Sequence, residues 1–105
     1  MTDRYPVFSA WMKQQGFTPE HIFMKDRKFR FDWAHTGLLI AIECDGGIWM
    51  AGRHNRPTGF LSDLEKTNLA VLAGWAVLRV TPEMIKKGTA HQLVEKALIE
   101  LDPLR

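Results

Sequence analysis

The sequence predicts an α/β domain in which helices flank a mixed central sheet of about four strands, in the order α-β-β-β-α-β-α. Two neighbouring segments and the part of the chain that follows them support this fold class. Residues 29–33 alternate apolar and polar side chains, as a half-buried strand does. Residues 38–47 are apolar almost to their end, which is typical of a central strand covered on both faces. A helical pattern and another strand at 75–80 follow, and this order predicts a right-handed crossover and a parallel strand pair.

The first predicted element is an amphipathic helix at residues 5–15. Apolar side chains recur there at helical spacing, Pro6 fits a first turn, and Gly16 is placed to end the helix. Residues 17–19 are typical of a loop. Residues 21–24 are ambiguous and fit a first edge strand.

Short turns delimit the two central strands. A polar turn at residues 25–28 precedes the alternating strand, and a turn at 35–37 joins it to the apolar one. The two strands are therefore expected to form an antiparallel hairpin. The alternation places three aromatic side chains on one face of the first strand: Phe29, Phe31 and Trp33.

The second half begins with a predicted loop at residues 48–59, which carries basic and imidazole side chains and is long for a small domain. A helix is predicted at 61–73 and a strand at 75–80, followed by a brief turn at 82–85. The last predicted element is a helix at 90–101 with an apolar stripe.

The composition fits one domain over residues 1–105 with a single core, because 105 residues of 46% hydrophobic content leave little room for a second. The net charge of +2 does not by itself indicate a nucleic-acid partner. The distribution of charge is more informative, because basic side chains bracket a group of acidic ones, which suits a phosphate-bearing substrate. A scatter of solvated surface charges explains the same pattern. The bracketing residues are Arg27, Lys28, Arg30, Arg53 and Arg56.

Cys44 is the single cysteine, so no disulfide can form within the chain. A reducing cytoplasm is the expected setting. No apolar run approaches the roughly 20 residues that span a bilayer, and the N-terminus lacks the pattern of a secretion signal. No membrane partner is expected.

Acidic side chains lie near the end of the buried strand that is predicted at residues 38–47. Glu43 and Asp45 lie near its end and share a face with Ala41, because side chains alternate along a strand. The predicted hairpin brings Asp32 beside them. Buried carboxylates without a partner cost several kcal/mol, and a divalent cation is their strongest partner. Three carboxylates on one sheet face therefore predict an Mg²⁺ or Mn²⁺ site.

This pattern resembles the core of the PD-(D/E)XK nuclease superfamily, in which an Asp precedes a Glu and a third residue follows after one spacer. The residues are Asp32, Glu43 and Asp45. A wider string, which covers residues 27–85, is similar to small phage and bacterial members related to very-short-patch-repair endonucleases. It comprises Arg27 to Asp32, Ile42 to Gly47, Gly52 to His54, Gly59-Phe60, Asp63 with Lys66, and Gly74 to Arg79. The resemblance implies a restriction-endonuclease-like core and a metal-dependent endonuclease that acts on DNA.

The resemblance also implies roles for single residues. Asp32 would be the first metal ligand, Glu43 the second, and the backbone carbonyl of Cys44 a third. Asp45 stands where the superfamily often has a lysine. An aspartate can bind a metal or accept a proton there, but it cannot supply positive charge.

Another cation is therefore needed for the implied hydrolysis of a phosphodiester. Lys66, on the helix that follows, is the expected displaced lysine. His54 is the other candidate, as general base or as a hydrogen-bond donor to a phosphate oxygen. Contacts with backbone phosphates would come from Arg30, Arg53 and Arg56.

The resemblance further implies a bacterial or phage-encoded protein. A domain of this size covers little duplex. A homodimer would place two sites on opposite strands or on the arms of a junction, so branched or mismatched DNA is included among the expected substrates.

Structural explanations remain open for each site residue. Asp32 could form a salt bridge with Arg30 or Arg79, and Glu43 could pair with a lysine or arginine. Asp45 before two glycines could be a turn residue. His54 could be a loop hydrogen-bonding residue, and Lys66 a solvated helix lysine. The rival function is a nuclease fold without catalysis that binds nucleic acid or another protein, and an RNA-directed nuclease is a further alternative.

Overall fold

The structure, a computed structural model, describes residues 3–46 and 57–104. It confirms the predicted α/β class with a four-stranded mixed sheet flanked by helices. In chain order the elements are α1 (Pro6–Gln14), β1 (Thr18–Met24), β2 (Phe29–His35), β3 (Ile40–Cys44), α2 (Pro57–Leu72), β4 (Ala76–Val80), α3 (Pro82–Lys87) and α4 (Thr89–Glu100). No helix within these described residues is long and apolar enough to cross a membrane.

The strands lie in the order β1-β2-β3-β4. β1 and β2 are antiparallel, as are β2 and β3, whereas β3 and β4 form the predicted parallel pair with Glu43 opposite Arg79. The ends of β3 and β4 therefore lie at the same edge of the sheet as the turn between β1 and β2. We call this end of the sheet, where β3 and β4 terminate, the carboxyl-end edge.

Two apolar clusters cover the two faces of the sheet. The α1/α4 face packs against α1, α3 and α4, and its buried residues include Phe8, Met12, Trp33, Ile40, Ile42, Val80, Ile85 and Val94. The α2 face is smaller, and its buried residues are Phe31, Ala34, Ala41, Ala70 and Trp75. Ile40, Ala41 and Ile42 are fully buried, which fits the prediction of a central strand.

The alternation predicted for β2 is wrong at one point. On the α2 face, Phe31 stacks on Phe23 with 4.3 Å between the ring centroids. On the α1/α4 face, Trp33 packs edge-on to Phe8 with 5.2 Å between the ring centroids. The strand therefore changes face between Phe31 and Trp33. The neighbouring strand is irregular at the same level, where Glu20 has a positive φ of 55°. Local backbone distortion, which composition does not reveal, overrides the regular period of two.

The element boundaries also differ from the predictions, and β3 is shorter than the predicted strand at 38–47. The ambiguous segment is a full edge strand from Thr18 to Met24. α2 begins at Pro57, inside the predicted loop at 48–59, and the rest of that loop lies outside the described residues. The predicted brief turn at 82–85 is the start of α3, where the Thr81 hydroxyl accepts a hydrogen bond from the Met84 amide and caps the helix.

Candidate active site at the end of β3

Asp32 and Glu43 meet where β2 and β3 separate. The backbone ladder between these strands runs from His35 opposite Ile40 to Trp33 opposite Ile42. Beyond Trp33, hydrogen bonds between backbone and side chains take the place of the backbone pairing between β2 and β3. The Asp32 amide donates to Glu43 Oε2 at 3.3 Å, and the Cys44 amide donates to Asp32 Oδ2 at 2.8 Å. These reciprocal bonds fix both carboxylates at the carboxyl-end edge.

Lys66 of α2 reaches the same point. Its Nζ donates to Glu43 Oε1, and the two side chains are 18% and 8% exposed, respectively. The ammonium group also lies 5.7 Å from the centre of the Phe31 ring. Lys66 is thus a largely enclosed cation, and not the solvated helix lysine that the sequence left open. Its catalytic role stays a prediction.

Burial raises the pKa of Glu43 above its ordinary value of 4.5. The Lys66 bond and charge and the Asp32 amide act in the opposite direction, whereas the charge of Asp32 raises the pKa further. Glu43 is therefore a desolvated acid beside a second carboxylate. Additional positive charge at this point would favour its ionised form.

Asp45 belongs to a neighbouring network. Arg79 Nε donates to Asp45 Oδ2 at 2.8 Å, and the same guanidinium donates to both carboxylate oxygens of Asp63 at 2.9 and 3.1 Å. Thr67 Oγ1 accepts a weaker bond from it at 3.5 Å. Arg79 therefore bridges the end of β3 to the first half of α2, on the face where Glu43 meets Lys66.

The expected meeting of three carboxylates around one ion needs correction. Within 3–46 and 57–104, no group of three His, Cys, Asp or Glu side chains is arranged to hold a metal ion. The physical reason lies in Asp45, whose carboxylate is neutralised by Arg79. Two carboxylates, Asp32 and Glu43, remain close together.

This smaller donor set still fits a magnesium-like ion. Mg²⁺ is commonly bound through one or two carboxylates, with waters and substrate phosphates completing its shell. A carboxylate offers about four lone-pair sites. Asp32 accepts one bond from the Cys44 amide, and Glu43 accepts one from the Asp32 amide and one from Lys66, so both carboxylates retain acceptor capacity. Burial raises the pKa of Glu43, and a bound cation would favour the ionised form of this carboxylate.

The remaining predicted site residues divide into two groups. Arg30 is exposed and pairs with Glu20 on β1. The Cys44 thiol lies on the other side of β3 against the Tyr5 hydroxyl, and burial raises the pKa of that thiol. His54, Arg53 and Arg56 lie outside the described residues, so their predicted roles stay predictions.

The sequence-based site did not include Arg79. The sequence places Arg79 in the strand that is predicted to run parallel to β3. That Arg79 lies opposite Glu43 depends on the register of the two strands, which the sequence does not give. Asp63, which belongs to the wider string of the resemblance, accepts two bonds from Arg79.

Comparison with known proteins identifies no relative: no family model, no curated protein and no solved structure matches the chain.

Proposed function

We propose that this chain is a metal-dependent endonuclease that hydrolyses phosphodiester bonds in DNA, built on a restriction-endonuclease-like core. The observation that carries the proposal is the meeting of Asp32, Glu43 and Lys66 at one strand end. Each is held from a different element, since β2, β3 and α2 supply one residue apiece. Two acids and a cation at a sheet edge suit phosphoryl chemistry better than they suit stability, because burying such charges carries a desolvation cost.

Asp32 and Glu43 would hold Mg²⁺ or Mn²⁺, whose bound form supplies an activated water and neutralises phosphate charge. Lys66 would orient the attacking water and offset negative charge on the phosphate, the role for which the motif normally provides a lysine after the Glu. The bond between Lys66 and Glu43 supports this assignment, since it places the ammonium group at the carboxylate pair.

Asp45 has a supporting role in this proposal. Arg79 forms an ion pair with its carboxylate and a second ion pair with Asp63 on α2. The Asp45–Arg79 ion pair therefore positions the start of α2 relative to β3, and with it the helix that carries Lys66.

Basic side chains near the site would contact the nucleic-acid backbone. The turn between β1 and β2 lies at the carboxyl-end edge and exposes Lys25, Arg27 and Lys28. Arg27 pairs with Glu65, the neighbour of Lys66, and its guanidinium lies 4.8 Å from the centre of the Phe29 ring. Arg30, together with Arg53 and Arg56, extends this predicted contact set, whose affinity would depend on salt and not on base sequence. The homodimer stays a prediction.

A nuclease fold without catalysis is the second candidate function. It is favoured by the ion pair of Glu43 with Lys66, which satisfies the buried carboxylate without any metal ion. The two candidates differ in one measurable property. The active form cleaves DNA when Mg²⁺ or Mn²⁺ is present, whereas the degenerate form binds nucleic acid and leaves it intact.

The test is a cleavage assay on plasmid and branched DNA with either ion, using wild type, Glu43→Gln and the control Glu100→Gln, which changes an exposed acid at the far end of α4. We expect cleavage by wild type and the control, loss of cleavage in Glu43→Gln, and no cleavage in EDTA. Equal cleavage by wild type and Glu43→Gln would overturn the assignment. Competition with RNA of the same sequence separates a DNA-directed from an RNA-directed enzyme.

A further inference from the structure

A cavity of about 740 Å³ opens between the start of α1 and α3. Its lining includes the apolar bodies of Tyr5 and Ile85, and the charged side chains of Arg4, Lys86, Lys87 and Glu83. The charged residues are exposed, whereas Ile85 is buried. The cavity is therefore a groove with an apolar floor and a charged rim.

The rim of this groove is positive. Glu83 is its acid, and Lys87 pairs with it at 2.8 Å. Neither Arg4 nor Lys86 forms an ion pair with a carboxylate of the part of the chain that the structure describes. Two exposed cations thus stand beside an apolar floor, a combination suited to a ligand with anionic groups and apolar ring surface.

The groove and the carboxylate pair lie on opposite sides of the same strand end. Glu43 faces α2, whereas the next residue, Cys44, places its thiol against the Tyr5 hydroxyl at the groove. After the last paired residues, the Asp45 amide donates to the Val80 carbonyl at 2.8 Å, directly before α3 begins at Pro82. A strand of nucleic acid that crosses the carboxyl-end edge would therefore pass both sites.

We propose that this groove binds the sugar–phosphate backbone of the nucleic acid beside the scissile bond, with Arg4 and Lys86 on the phosphates and Tyr5 and Ile85 against sugar or base. This inference rests on the proposed nuclease function, because that function places nucleic acid at the carboxyl-end edge. It assigns to α1 and α3 a binding role that the carboxylate site alone does not require.

The test measures binding of a fluorescent DNA duplex and of a single strand in EDTA, across a series of KCl concentrations. The variants are Arg4→Gln, Lys86→Gln and the double variant, with Lys86→Arg as a charge-retaining rescue. Lys13→Gln is the matched control, because it removes an exposed charge in the last turn of α1, away from the groove. Far-ultraviolet circular dichroism checks that every variant is folded.

Each lost phosphate contact should reduce the slope of log K against log salt by about 0.9 on duplex or about 0.7 on single-stranded DNA. We expect the double variant to bind about tenfold more weakly at low salt, for every DNA sequence, and Lys86→Arg and Lys13→Gln to bind as wild type does. Wild-type slope and affinity in the double variant would overturn the inference.

Cleavage at saturating DNA separates this inference from the proposed function. If wild type cleaves DNA but the double variant binds normally, the groove proposal fails and the nuclease stands. If wild type binds DNA with the expected dependence on Arg4 and Lys86 but does not cleave it with Mg²⁺ or Mn²⁺, the groove proposal stands and catalysis fails. If wild type binds no DNA, both are overturned, and an acidic protein or an anionic lipid surface becomes the groove's candidate partner.

Discussion

The two faces of the sheet use the same strands for different purposes. The α1/α4 face carries one continuous apolar cluster, which extends from Phe17 and Ile40 to Val80 and Ile85 at the carboxyl-end edge. The α2 face is apolar only around Phe31, Ala41, Ala70 and Trp75, and becomes charged toward that edge. The charged residues are Glu43, Lys66, Asp45, Arg79 and Asp63.

This difference supports the location of the proposed site on the α2 face. Replacing an enclosed ion pair by apolar residues of similar volume is often neutral or stabilising, so the Glu43–Lys66 pair is poorly explained as a device for stability. The α1/α4 face shows that the same strands can bury apolar side chains up to their ends. The charges on the α2 face are therefore best understood as parts of a site.

The largest expected effect distinguishes Asp32 from Asp45. Asp32→Asn keeps an oxygen that can accept from the Cys44 amide but removes the charge, and we expect cleavage to fall about a thousandfold, or about 4 kcal/mol in the barrier. Asp45→Asn keeps an acceptor for Arg79, and we expect less than about a tenfold loss. Single-turnover cleavage rates measure both. Equal losses in the two variants would restore Asp45 to the centre of the site.

On the apolar face, Met12→Ala should reduce stability and leave chemistry intact. Met12 is fully buried, and its truncation should lower the free energy of unfolding by about 3 kcal/mol through lost burial and a residual cavity. The cleavage rate at a temperature where the variant is folded should match that of wild type. Chemical denaturation and the same rate assay check the two parts. A large rate loss in the folded variant would show that the two faces are coupled.

Lys66→Met tests the enclosed pair itself. It leaves the buried Glu43 carboxylate without its cation, and we expect a loss of about 2 kcal/mol in unfolding free energy at neutral pH, together with impaired cleavage. The double variant Lys66→Met with Glu43→Gln should recover much of the stability and none of the activity. A double-mutant cycle from urea titrations measures the coupling. Additive losses would mean that the pair contributes no coupling energy.

The pH dependence of stability follows from the raised pKa of Glu43. The folded protein binds a proton at Glu43 more tightly than the unfolded chain does. The resulting stability is fully present below pH 4.5 and is lost as the pH rises through the raised pKa of the folded state. Glu43→Gln should lack this decline. Urea titrations from pH 4.5 upward compare the two proteins, and parallel pH profiles would contradict the buried, desolvated state of Glu43.

The smallest expected effect is at an exposed ion pair on α4. Lys96 and Glu100 lie one turn apart on α4 with 3.8 Å between their charged atoms, and both side chains are mostly exposed. Glu100→Gln should change the free energy of unfolding by less than about 0.5 kcal/mol. Thermal unfolding measures this shift. An effect as large as that of Lys66→Met would show that exposure does not distinguish the two ion pairs.

Hydrophobic periodicity was sufficient for much of the fold. The crossover from β3 through α2 to β4 predicted the parallel pair. Side-chain alternation along β3 predicted that Ala41, Glu43 and Asp45 share one face, and the structure shows that α2 covers this face. The change of face within β2 was not predictable from that period, and it lies beside the irregular part of β1, where Glu20 has a positive φ and the register shifts between Ile22 and Met24.

The sequence brought Asp32, Glu43 and Lys66 together as candidates, but it did not predict Arg79 as the partner of Asp45. A carboxylate at the end of a buried strand indicates that some partner exists, and Lys66 was already a candidate on the following helix. The choice of Arg79 for Asp45 depends on the register of β3 with β4 and on the placement of Asp63 by α2. Those are tertiary relations between segments distant in sequence, and they decided that two carboxylates meet where three were expected.

The most direct test is the anomalous scattering of manganese in crystals of the chain soaked in Mn²⁺. The account predicts a peak within coordination distance of both the Asp32 and Glu43 carboxylates, about 2 Å from their oxygens, and no contact from Asp45. The absence of such a peak, with Lys66 still bonded to Glu43 at saturating Mn²⁺, would contradict the metal-dependent site.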